Sequence, residues 1–167
     1  MSSSAFFLLI AVFVSNLFSA SCAADPVAET KLPKTMPENT MMKWSENGGM
    51  APAWKKIEVS GDQILFEVKK MSDEEPVEWT ASISAEEKSK LYQVFVENKF
   101  DTIENDETDE ITYDAGSEGV YIRAGSISKN VSYGENSPLS GLNEKRYLAV
   151  AKAIQNLEAK NPNSSND

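Results

Sequence analysis

The chain has 167 residues, with 26 Asp plus Glu against 16 Lys plus Arg, a formal charge of −10 at pH 7, one Cys and no His. Without imidazole it offers no Ser-His or Cys-His nucleophile pair, no acid/base group that ordinarily titrates near neutrality, and no His-ligated zinc or haem. The single thiol excludes an internal disulfide, and the only paired lysines, Lys55-Lys56 and Lys69-Lys70, are too short a run to track phosphates, so no nucleic-acid partner is expected.

Residues 1–23 have the three-part layout of an export signal: an uncharged start, an apolar run from Ala5 to Val14 extended by Leu17 and Phe18, and small residues from Ser19 to Ala24. The run is shorter than the ~20 residues that span a bilayer as a helix, and no basic stop-transfer flank follows it. Cleavage is expected after Ser21, Ala23 or Ala24, which gives a secreted, extracellular protein. Cys22 supports an alternative, because a lone cysteine after an apolar segment resembles the acylation site of bacterial lipoproteins. That resemblance implies a lipid-anchored protein of the cell envelope. Ser19 stands where the lipoprotein pattern has Leu, and the first residues carry no Lys or Arg. Two glycosylation sequons, at Asn130 and Asn163, point to the extracellular reading.

Residues 24–39 contain three prolines, Pro26, Pro33 and Pro37, without sustained periodicity, and read as an extended, poorly ordered leader. A single domain is expected over 40–160, followed by a polar tail over 161–167. Ile57 and Val59, then Ile64, Phe66 and Val68 across Ser60-Gly61-Asp62, alternate with polar residues and predict a β-hairpin. Val77, Trp79, Ala81 and Ile83 predict the next strand, with Glu78, Thr80 and Ser82 on its other face. Ser84 opens a helix, since Ser84-Ala85-Glu86-Glu87 has the spacing in which hydroxyl and carboxylate satisfy each other's backbone N–H groups. Leu91, Val94 and Phe95 form its apolar stripe.

Three short β-patterned runs follow, at Ile111 and Tyr113, Val120 and Ile122, and Val131 and Tyr133, punctuated by glycines. A second amphipathic helix is expected from about Asn143 to Ala159, with Tyr147, Val150, Ala151, Ile154 and Leu157 on one side. The sum is an α+β fold, an antiparallel sheet with two helices packed on one face. This order, with a Gly-Gly loop early, a helix ending in Asn-Lys-Phe and a Ser-Pro-Leu before the last helix, resembles small α+β domains of unknown function in bacterial envelope proteins. The resemblance spans Trp44 to Leu157 and implies no activity.

The segment from Asp101 to Glu118 carries eight carboxylates and no basic residue. Its field attracts cations, and Asp106, Asp109, Glu110 and Asp114 are candidate ligands for Ca²⁺, although no EF-hand loop can be laid over them. The competing account is a solvated acidic loop. Trp44 and Trp54, within WSENGGMAPAW, are candidates for a binding surface, against a structural role capping one end of the sheet. No catalytic residue emerges, because Ser89-Lys90 and Ser128-Lys129 are only adjacent pairs and no carboxylate stands alone in an apolar run. The expectation is therefore a secreted acidic interaction protein, not an enzyme, with a protein, polysaccharide or mineral partner. Membrane association is expected only if Cys22 is acylated.

Overall fold

A computed structural model describes residues 28–48, 53–109 and 111–161, and in it six antiparallel strands form one sheet. The expected export segment with Cys22, the Gly49 to Pro52 loop, Glu110 and the Asn163 sequon lie outside the described residues. The strands are β1 (Met41–Asn47), β2 (Trp54–Ser60), β3 (Gln63–Lys69), β4 (Val77–Ser82), β5 (Ser117–Ala124) and β6 (Ile127–Gly134), in the spatial order β4-β3-β2-β1-β5-β6. Helices α1 (Ala85–Glu97) and α2 (Gly141–Gln155) complete the α+β fold, and a 3-10 turn, Asn156–Lys160, follows α2.

Strand periodicity and register together build the core. Trp79, Phe66, Ile57, Trp44, Val120 and Val131 are successive cross-strand partners, so one row of apolar side chains crosses the whole sheet on one face. Ala81, Ile64, Val59, Met42 and Ile122 form the parallel row beside it. Leu91, Tyr92 and Phe95 from α1 and Tyr147, Val150, Ala151 and Ile154 from α2 join the same buried cluster. The opposite face presents mixed charge, with Lys43 opposite Glu58 and Lys56 opposite Glu67. Lys56 and Glu67 form an ion pair there.

The hairpin at Ser60-Gly61-Asp62 forms as its alternation implies, with Gly61 supplying the positive φ of 60°. Ser84 caps α1 reciprocally with Glu87: its hydroxyl accepts from Glu87 N at 3.2 Å, and Glu87 Oε2 accepts from Ser84 N at 3.0 Å. Glu87 also pairs with Lys160 at 2.6 Å, tying the 3-10 turn after α2 to the first turn of α1. The hydrogen bond with Lys160, followed by those with Ser84, holds the Glu87 carboxyl at about 2, below its ordinary 4.5. A depressed acid pKa contributes stability above the unfolded value and loses it as pH falls through the folded one. Glu87→Gln is accordingly expected to flatten the pH dependence of unfolding between about 4.5 and 2 and to leave its shape above that window unchanged, as read by urea melts across pH.

Two expectations change. Ile111 and Tyr113 form no strand and are exposed, at 73% and 86%. Asn136 takes both backbone groups of Thr112, donating to its carbonyl at 2.9 Å and accepting from its N–H at 2.7 Å, and so withdraws them from any ladder. The leader is the second case. Residues 28–39 have no helix or strand, as an extended segment should, yet they are fastened to the domain. Leu32 is buried, Asp101 accepts from Lys31 N at 2.7 Å and from the Thr30 hydroxyl, and Tyr92 donates its hydroxyl to Pro33 O at 2.6 Å. Most of these ties use backbone atoms, which leave no trace in a hydropathy pattern.

Candidate functional site

Continuing the core face two residues past Trp44 replaces apolar partners by polar ones. The row there runs Val77, Val68, Lys55, Glu46, Glu118 and Tyr133. Glu46 and Glu118 are direct partners on β1 and β5, which places their Cβ atoms about 5 Å apart on one face. Like charges in that arrangement oppose folding. Lys55, on the other side of Glu46, gives its ammonium to Glu158 at 2.5 Å. The Glu46 carboxylate has no hydrogen bond or ion pair among the described residues. Glu118 Oε2 accepts from the Trp44 indole N–H at 2.8 Å, and its second oxygen has no donor among the described residues.

Tyrosines close the site from the helix side. Tyr133 donates its hydroxyl to Glu144 Oε1 at 2.7 Å, and that bond, with burial and the charges of Glu144 and Glu118, raises its pKa. The ring of Tyr147 lies 5.2 Å from that of Tyr133. Tyr147 is fully buried, and its hydroxyl has no partner among the described residues. Burial pushes its phenol well above the ordinary value of 10.0, and the charges of Glu118 and Tyr133 push it further. An open cleft of about 410 Å³, lined by Glu46, Asn47, Gly116, Glu118, Tyr133 and Gly134 among others, lies at this end of the sheet. Its wall is tightly built, since a Cβ on Gly134 would stand 2.8 Å from Gly116 O. The acidic segment leads directly into it through Gly116 and Ser117.

A second cleft of about 380 Å³ lies along β3 and β4, against the C-terminal turn. Phe66 and Trp79 stack there with centroids 6.0 Å apart, and the Trp79 indole N–H is buried without a partner among the described residues. Among its rim charges, Lys55 pairs with Glu158 and Lys56 with Glu67, so these cations are neutralised from within.

The residues singled out from the sequence scatter. Trp44 is buried in the core and Trp54 is half-buried on the opposite face of the sheet, because Trp44 pairs with Ile57 while Trp54 pairs with Asn47, an odd number of residues away. The two indoles therefore form no common stacking surface. Asp106, Asp109 and Asp114 lie in the loop before β5, and no group of three or more Cys, Asp or Glu side chains gathers among the described residues. Asp106 instead uses its backbone, donating N–H to Pro138 O at 2.9 Å. Asn130 is exposed on edge strand β6, on the face away from the helices.

Glu46, Tyr133, Glu144 and Tyr147 were not marked by any motif. Met42, Trp44 and Glu46 do alternate in the sequence, and reading that segment as a strand would have put Glu46 on the core side. Set against known proteins, the chain matches no family model and shows no significant similarity to any curated protein.

Proposed function

We propose that this is an exported acidic interaction protein, without enzymatic activity, that captures a cationic partner at the β1–β5 end of its sheet. The observation that carries the reading is the in-register pair Glu46 and Glu118, two carboxylates held together on one face with no ion pair to either among the described residues. A fold keeps such a repulsive pair at a cost, and a positively charged partner relieves it. The loop carrying Asp106, Glu107 and Asp109 adds the same sign of charge to the protein's field. The net charge of −10 acts in the same direction at longer range.

Binding to immobilised poly-L-lysine and to immobilised poly-L-glutamate tests the reading. Capture by poly-L-lysine alone is expected. It should weaken steeply as ionic strength rises from about 0.01 M to 1 M, over which the Debye length shrinks from ~30 to ~3 Å. Equal retention on the two surfaces, or retention that salt does not change, would remove the basis for a cation-binding role.

A further inference from the structure

We infer that the outer edge of β4 is a second docking surface, separate from the β1–β5 end, which takes one extended segment of a basic partner polypeptide as an added antiparallel strand. β4 is one of the two edges of the sheet, with β3 its only neighbour among the described strands. Its register with β3 is unbroken over six residues, Val77 to Ser82, so alternate residues turn their N–H and C=O groups outward along about 20 Å. No side chain or backbone atom of the described residues meets those outward groups.

The other edge is guarded. Asn105 donates its amide N–H to Ser132 O on β6 at 2.7 Å, and Lys129 of β6 pairs with Glu104 at 3.2 Å, so the loop before β5 lies along that strand. Folded proteins protect an edge with a covering loop, a bulge, a proline or a lysine, because an open edge templates another strand. Among the described residues β4 has none of the four.

The side chains beside the open edge define the strand that fits it. On the helix side, Val77 and Trp79 of β4 line the 380 Å³ cleft together with Phe66 and Val68 of β3. Alternate side chains of an added strand stand next to Val77 and Trp79, over that cleft, and apolar residues suit those positions. On the opposite face Glu78 stands directly across from Glu67, and Lys56, which neutralises Glu67, lies beyond it on β2. Like charges directly opposite destabilise a sheet, and a cation on the open side of Glu78 relieves this pair. Glu74 and Glu75, just before the strand, are also exposed and have no ion pair among the described residues. A segment alternating Lys or Arg with an apolar residue therefore matches both faces. A second copy of this chain does not, since it brings the same glutamates and a further charge of −10 to the joint.

Hydrogen exchange of the ¹⁵N-labelled protein reads the edge directly. The probes are acetyl-Lys-Val-Lys-Val-Lys-Val-amide and its block isomer acetyl-Lys-Lys-Lys-Val-Val-Val-amide, equal in charge and composition. The outward amides of β4 are expected to exchange fast in the free protein and to slow about tenfold when the alternating peptide saturates it, with β6 unchanged. The block isomer, which cannot present one basic and one apolar face, is expected to slow them far less. Glu78→Lys, at an exposed position, is expected to weaken binding of the alternating peptide about fivefold.

No slowing of any β4 amide, equal slowing by the two peptides, or unchanged affinity in Glu78→Lys would each overturn the docking edge. So would outward amides already slow in the free protein, which together with a doubled sedimenting mass would assign the edge to a second copy. Poly-L-lysine capture that persists alongside any of these leaves the β1–β5 reading standing. Slowing of β4 by the alternating peptide in a protein that poly-L-lysine does not capture leaves the docking edge standing without that reading.

Discussion

Arg146→Leu is expected to lower the free energy of unfolding by about 3 kcal/mol, read as a drop in the urea midpoint at unchanged slope. Arg146 sits on α2 with 7% of its surface exposed and spreads its donors over four acceptors. Nε donates to Asn98 O at 2.6 Å, one terminal nitrogen to Asn143 Oδ1 at 2.9 Å, and the other to Lys99 O and to Thr102 Oγ1. Asn98 and Lys99 end α1, and Lys99 turns the chain through a left-handed conformation with φ 46°. The Asn98 carbonyl belongs to the set that a helix terminus leaves unpaired, and Arg146 satisfies it from the second helix, while Lys99 O also accepts from Thr102 N and Thr102 Oγ1. Burial lowers the guanidinium pKa while Asp101 draws it back up. A leucine leaves the Asn98 carbonyl and the Thr102 hydroxyl short of the donors that Arg146 supplies. Arg146→Lys should recover little, because one ammonium on a flexible stem cannot reach acceptors spread across the α1 end and α2.

Trp44→Ala carries the second large effect, about 4 kcal/mol, the range for truncating a buried aromatic to alanine. Trp44 is 2% exposed at the centre of the six-strand row, between Ile57 and Val120. Its loss opens a cavity in the middle of the sheet face and takes away the one side-chain donor to Glu118 among the described residues. The second consequence separates it from a simple core deletion. Glu118 is then free to withdraw from the cleft, so the variant should lose binding of a cationic ligand even where it remains folded. Trp44→Phe keeps most of the packing and isolates the hydrogen bond. It is expected to cost less than half as much in urea melts and still to weaken binding.

Much of the architecture was legible in the residues because each legible element had a local cause. The β2–β3 hairpin had clean alternation around a glycine turn, and α1 had its Ser84–Glu87 reciprocal cap. Strand β4 had apolar positions at Val77, Trp79 and Ala81. Ile111 and Tyr113 show the limit of that logic: two apolar residues at a spacing of two read as a strand, but Asn136 takes both backbone groups of Thr112 between them. The leader failed to declare itself for a different reason. Its ties, at Lys31 N, Pro33 O and Lys34 O, are made by backbone atoms to Asp101, Tyr92 and Gln93.

The site was less legible than the fold. Acidic charge pointed to the neighbourhood of the proposed site, since Glu118 ends the acidic segment, but density of carboxylates in the chain is not proximity in space. Asp106, Asp109 and Asp114 are close in sequence and do not gather, whereas Glu46 and Glu118 are far apart in sequence and face each other only because β1 pairs with β5 in that register. Tyr133 and Tyr147 likewise meet through the packing of α2 over β6. A pairing register between distant strands is a tertiary fact, and no local pattern encodes it.

The most direct test of the account measures Glu46→Gln for thermal stability and for poly-L-lysine affinity in the same buffer at low salt. A carboxylate pair kept for binding and opposed by folding predicts that the two move in opposite directions: melting temperature up, by a degree or a few, and affinity down. A lower melting temperature with affinity unchanged would contradict the account, because it would make Glu46 a structural residue and leave the cleft without its cation.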